Sequence, residues 1–137
     1  MVKVVFDTSV IVKWFLPEED STKAEPYLAD LLRGSLEAVV PASALLELSN
    51  TLWVQRRNGL DASAAQAVLR QCRELPLEVA ELGSLLPAAL DLAFRLEIAT
   101  YDAIFVALAR DLECDLITAD QPLWEKVHRE CPWVKRL

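Results

Sequence analysis

The chain has one histidine, His128, and three cysteines, Cys72, Cys114 and Cys131, in 137 residues. With its lone histidine near the C-terminus, it offers a poor base for a Ser-His-Asp arrangement. An odd number of cysteines without metal-type spacing points to free thiols in a reducing cytoplasm. Three glycines and seven prolines are too few for a linker-rich or low-complexity chain, and no glycine-rich phosphate loop is present. Long apolar runs are missing as well. Nothing approaches the roughly 20 residues of a membrane span, and MVKVVFD is too briefly apolar for a signal peptide. Positive charge is scarce: 14 Lys and Arg face 21 Asp and Glu, for a net charge of −7. Nonspecific nucleic-acid binders are usually basic. A polyanion would therefore need a local basic rim beside acids neutralised by a metal.

What is present suits one globular α/β domain spanning residues 1–137, with 53% apolar and 26% charged residues. Val2 to Phe6 reads as a buried parallel strand. A short helix follows to Pro17, with Thr8 or Ser9 as its cap, and a second helix spans 18–32. Its apolar face is Ala24, Tyr27, Leu28, Leu31 and Leu32, and Arg33-Gly34 closes it. A strand at 36–40 leads into a helix running from Pro41 to Arg57, with Leu45, Leu46, Leu48, Leu52 and Trp53 on its apolar face. Asp61 caps a helix towards Leu75. A short strand at 77–82, helices at 85–96 and 101–113, a strand ending at Ala119, a helix at 120–130 and an edge strand at 133–137 complete the chain. Strands alternating with helices imply right-handed crossovers and a mostly parallel sheet in an α/β/α sandwich.

The acids then draw notice. Asp7 follows the strand VKVVF and Asp120 follows DLITA, so both stand where ligand crevices form, beyond the carboxyl ends of parallel strands. Asp102 opens the apolar helix in ATYDAIFVALA, where the free N–H groups and the macrodipole favour an anion. Position alone leaves it open between a helix cap and a site residue. Glu47 lies on a strip with Ser43 and Asn50, away from the apolar face, and by pattern alone reads as a solvated glutamate. Converging carboxylates repel one another and raise their pKa values unless a cation intervenes. Oxygen-only ligands select Mg²⁺ or Mn²⁺ rather than Zn²⁺. Asp7 is followed two residues later by Ser9 instead of a second aspartate, which weakens an aspartyl-phosphate phosphatase. Metal activation of water is the better chemical account.

VVFDTSVIVKWF, PASALLELSNTLW and TYDAIFVALARDLECDLITADQPLW, in that order, resemble the PIN-domain family, specifically its VapC-type toxin ribonucleases. The resemblance covers essentially the whole chain. It implies a catalytic metal site built from Asp7, Glu47, Asp102 and Asp120, all four acidic positions being filled. Thr118 fits the supporting hydroxyl position of the last motif, and Thr8 and Ser9 match the polar residues after the first aspartate, although both also suit helix capping. Asn50, in the same LLELSN stretch, joins them as a supporting residue. The implied activity is Mg²⁺- or Mn²⁺-dependent hydrolysis of RNA phosphodiesters, leaving a 5′-phosphate and a 3′-hydroxyl.

The resemblance further implies a small antitoxin partner and a homodimer. Lys13, Arg56 and Arg57 are candidate RNA contacts, with Arg70 and Arg73 also available, although Arg56 and Arg57 equally serve to neutralise a helix C-terminus. Trp14, Trp53, Trp124 and Trp133 suit the core or an interface better than base stacking. The rival readings are a catalytically silent RNA-binding or regulatory module, whose acids are structural, and a metal-dependent phosphatase.

Overall fold

The computed structural model describes residues 2–137. The apolar run Val4-Val5-Phe6 is buried, which suits a strand flanked by neighbours on both edges. It forms the core of β1 (Val2–Phe6), the middle strand of a five-stranded sheet. The others are β2 (Leu36–Pro41), β3 (Leu77–Ala80), β4 (Asp115–Thr118) and β5 (Val134–Arg136). Their order is β3-β2-β1-β4-β5, and every pair is parallel. The sheet is thus wholly parallel and flanked by helices, the α/β architecture that the alternation of elements implies. The chain first steps outward from β1 to β2 and β3, then crosses back to β4 and β5. That reversal makes the gap between β1 and β4 a topological switch point, where parallel sheets open a crevice at their carboxyl ends.

Seven α-helices connect these strands among the described residues: α1 (Thr8–Ile11), α2 (Ser21–Arg33), α3 (Ala44–Val54), α4 (Ala62–Glu74), α5 (Leu86–Leu96), α6 (Thr100–Asp111) and α7 (Gln121–Val127). None is long and apolar enough to cross a membrane. Gly34 ends α2 with φ +79°, a left-handed conformation that costs glycine little. Asp61 caps α4 by accepting a hydrogen bond from the Ala64 N–H at 2.8 Å. In α6 every residue from Ala103 to Ala109 is buried, since the helix packs against α5 and also against β1, β2 and β4. A helix covered on all sides needs no polar face. This explains the unbroken apolar run after Asp102.

Several sequence-based boundaries shift. Helix α2 starts at Ser21 rather than residue 18, because Asp20 adopts a left-handed φ of 62°. Leu32 is exposed; α2 buries Ala24 and Leu31, one face seven residues apart. Pro41 does not open α3. It is the last residue of β2, in register with Ala80, and the helix begins three residues later. That helix stops at Val54, and 55–58 continue as a 3-10 turn. Its core face is Ala44, Leu48 and Leu52, spaced four residues apart, which turns Leu46 and Trp53 outward. The last helix ends at Val127. His128 is half-buried, because its ring stacks on Trp124 with centroids 4.0 Å apart.

A candidate acidic active site

The ladder between β1 and β4 continues one step past β1, where the Asp7 N–H donates to the Ile117 carbonyl at 3.0 Å. This fixes Asp7 at the switch point. It occupies the N-cap position of α1, so Thr8 and Ser9 lie inside the helix rather than capping it, and the Asp7 carboxylate makes no capping bond. Instead Asp7 Oδ2 accepts hydrogen bonds from Thr118 Oγ1 at 2.7 Å and Ser9 Oγ at 2.8 Å. Both hydroxyls are then used again: Thr118 Oγ1 accepts from the Asp120 N–H at 3.1 Å, and Ser9 Oγ accepts from the Ala119 N–H at 3.0 Å. Two hydroxyls thereby tie the end of β1 to the end of β4.

The other acids arrive from separate elements. Asp120 precedes α7 and caps it, Oδ1 accepting from the Leu123 N–H at 3.1 Å. Glu47 lies in the first turn of α3, and its Oε2 accepts from Thr8 Oγ1 at 2.9 Å, joining residues 39 apart. Asp102 lies in the first turn of α6, whose N-cap is Ala99, and makes no capping bond. Asp7, Glu47, Asp102 and Asp120 all line one cleft of about 610 Å³, together with Thr8, Ser9 and Asn50. Thr118 lies beneath it, fully buried. Pattern reading of α3 alone turned Glu47 to solvent. Glu47 in fact faces α1, with which α3 packs, while Asn50 stays exposed.

Crowding and burial perturb these groups as electrostatics requires. Asp7, only 6% exposed, has its pKa raised by burial against the opposing hydrogen bonds of Thr118 and Ser9, and Asp120 adds repulsion. Glu47 is pushed up to about 7 by burial, partly offset by the Thr8 bond and reinforced by the charges of Asp7 and Asp102. Burial pushes Asp102 to about 6, with Asp7 and Asp120 contributing. A cation in the cleft would relieve this repulsion, and oxygen donors suit a hard one. Among the described residues, no three Asp, Glu, His or Cys side chains are gathered closely enough to enclose an ion by themselves. That spacing is compatible with Mg²⁺, which keeps several waters and takes one or two carboxylates along with substrate phosphate.

The proposed basic rim is not assembled at the cleft. Lys13 donates to the Glu19 carbonyl and stands 3.5 Å from the Glu18 carboxylate. The Arg56 guanidinium sits 3.6 Å over the Trp53 ring and lines a different groove, of about 340 Å³, between α3 and α4. Arg57 is exposed on the turn after α3 and does not line the cleft. Sequence reasoning passed over Leu46 and Tyr101, which do line it. The available signal was adjacency, since each immediately precedes one of the candidate carboxylates.

The family model described as PIN domain matches residues 4–128. Ribonuclease VapC3 from Pyrobaculum aerophilum is 33% identical over 127 residues, covering 90% of this chain and 94% of its own. Among solved structures, PAE2754 from Pyrobaculum aerophilum superposes with a TM-score of 0.70 at 21% identity, over 91% of this chain and 79% of that one. VapBC2 from Rickettsia felis, bound to a DNA fragment from their promoter, gives 0.68 at 14% identity over 98% of both chains. At these identities the two structural matches establish the fold.

Proposed function

The chain belongs to the PIN-domain family, and on that premise we propose that residues 1–137 form a single domain acting as a divalent-metal-dependent endoribonuclease of the VapC toxin type. The observation that carries this reading is the convergence of Asp7, Glu47, Asp102 and Asp120 from four separate segments into one cleft. Relatedness to a ribonuclease across nine-tenths of the chain supports it.

Asp7, Asp102 and Asp120 are the carboxylates from which Mg²⁺ or Mn²⁺ would draw its one or two protein ligands, with water completing the shell and Glu47 beside them. When bound, such an ion makes a water more acidic and offsets negative charge developing on phosphate. The protein's own contribution is to pre-position its donors. Thr118 and Ser9 fix Asp7 Oδ2, leaving Oδ1 for the cleft, and Thr8 fixes Glu47 Oε2 in the same way. Asn50 offers an amide on the same wall. RNA, rather than a phosphomonoester, is the substrate of this reading.

A small antitoxin partner belongs to the proposal and is supported by likeness to the VapBC2 fold. So does a homodimer, for which α5 presents an exposed apolar stripe of Leu86, Leu90 and Phe94 at four-residue intervals. Three unpaired thiols suit a reducing cytoplasm. The test is cleavage of end-labelled single-stranded RNA in chelator with Mn²⁺ titrated back. Metal-dependent internal cuts are expected. RNA binding without cutting would favour the silent module, and release of phosphate from monoesters without internal cuts would favour the phosphatase.

A further inference from the structure

Two side chains on the wall of the acidic cleft are out of character. Leu46 and Tyr101 are large and largely apolar, and 74% and 73% exposed, in a cleft otherwise lined by acids, hydroxyls and an amide. Their placement is regular: Leu46 precedes Glu47 near the start of α3, and Tyr101 precedes Asp102 near the start of α6. One residue along a helix is a rotation of about 100°, so each flanks a carboxylate at the mouth of the cleft. Packing does not account for them, since α3 buries Ala44, Leu48 and Leu52 and α6 buries the run beginning at Ala103.

We propose that Tyr101, seconded by Leu46, is the nucleobase platform of this cleft, stacking a base next to the phosphodiester brought over the carboxylates. The inference rests on the ribonuclease reading above and specifies how the substrate is gripped. A single-stranded nucleotide is amphipathic, with a charged phosphate and a flat apolar base that can splay out and stack on an aromatic ring. The cleft has the matching division, with carboxylates for a cation and its phosphate and an apolar rim for the base. Among the described residues, Tyr101 is the one aromatic side chain lining it. Trp53 is already covered by Arg56 and lines the other groove. Base–aromatic stacking tolerates any sequence, so the platform supplies grip and register rather than base identity. It also reduces the need for a basic rim, since no Lys or Arg lines the cleft among the described residues.

The test uses a single-stranded RNA carrying 2-aminopurine, whose fluorescence is quenched on stacking, mixed in Mg²⁺ with the full chain bearing Asp7→Asn to prevent cutting. Quenching is expected on binding. Adding Tyr101→Ala should abolish it and weaken binding, measured by anisotropy, by roughly 5- to 150-fold, whereas Tyr101→Trp retains both. In cleavage by the otherwise unaltered chain, Tyr101→Ala should raise KM by a similar factor. An abasic nucleotide at the stacked position should produce the same loss in the unaltered chain and little more in the variant. Equal quenching and equal KM with and without the Tyr101 ring would overturn the platform while leaving the ribonuclease reading intact. An unaltered chain that neither binds nor cuts RNA would remove both. If Tyr101→Ala dissociates a dimer or an antitoxin complex but leaves quenching unchanged, Tyr101 belongs to a protein interface and the proposal fails.

Discussion

At the residue scale, burial raises the pKa of Asp7, and two hydroxyl donors on one of its oxygens oppose that rise in part. Asp7→Asn keeps an acceptor for Thr118 and Ser9 and removes the repulsion with Asp120. It should leave the melting temperature unchanged or higher while lowering the cleavage rate by ~100-fold or more. Thermal denaturation and labelled-RNA cleavage of the same preparation check both halves. Unfolding of the variant, or normal cutting, would contradict the assignment. Thr118→Val is the converse case. It deprives buried Asp7 of a donor and the Asp120 N–H of its acceptor, and should cost about 1–3 kcal/mol in denaturant unfolding. Thr118→Ser, which restores the hydroxyl, should recover most of that. Stability retained in Val and lost in Ser would instead assign the effect to packing of the methyl group.

At the element scale, Asp120 serves both α7 and the cleft, and substitution separates the two. Asparagine is as good an N-cap as aspartate, whereas alanine loses about 1 kcal/mol of capping. Asp120→Asn should therefore keep stability and lose cleavage, and Asp120→Ala should lose both. If Asp120→Asn cuts RNA at the rate of the unaltered chain, Asp120 is a cap and nothing more. Elements were also where the sequence was most legible. The five strands and their neighbouring helices followed from apolar runs and periodicity, and Gly34 and Asp61 marked helix ends as expected. The turn between β2 and α3 was not legible, because Pro41 suits the end of a strand as well as the start of a helix, and only its pairing with Ala80 decides.

For the whole molecule, Glu47 raised to about 7, Asp102 raised to about 6 and a raised Asp7 all bear on pH dependence. A carboxyl whose pKa is higher folded than unfolded stabilises the fold below its unfolded value. That contribution is lost as pH rises through the folded value. Between about pH 4 and pH 7 these groups should therefore progressively destabilise the metal-free chain. Melting temperatures in chelator should fall across this window through their contribution. Substituting Glu47→Gln and Asp102→Asn together should flatten the fall. Millimolar Mg²⁺ should raise the melting temperature more at pH 8 than at pH 5, because a ligand of the folded state stabilises it and its carboxylates must be ionised. An equal rise at both values, or none at pH 8, would argue against a metal held by these acids.

The sequence by itself determined that β1 and β4 are buried parallel strands and that Asp7 and Asp120 stand just beyond their ends. A strand's apolar run and the residue that terminates it are local facts. Family resemblance placed Glu47 and Asp102 in the same group, which pattern alone could not do. Tertiary structure decided which polar faces meet: Thr8 reaches Glu47 across 39 residues, Lys13 is diverted to Glu18 and Glu19, and Leu46 and Tyr101 flank the acids. Periodicity specifies which side of a helix avoids water. What its opposite side encounters depends on how distant helices pack over the sheet, and that information is spread along the whole chain.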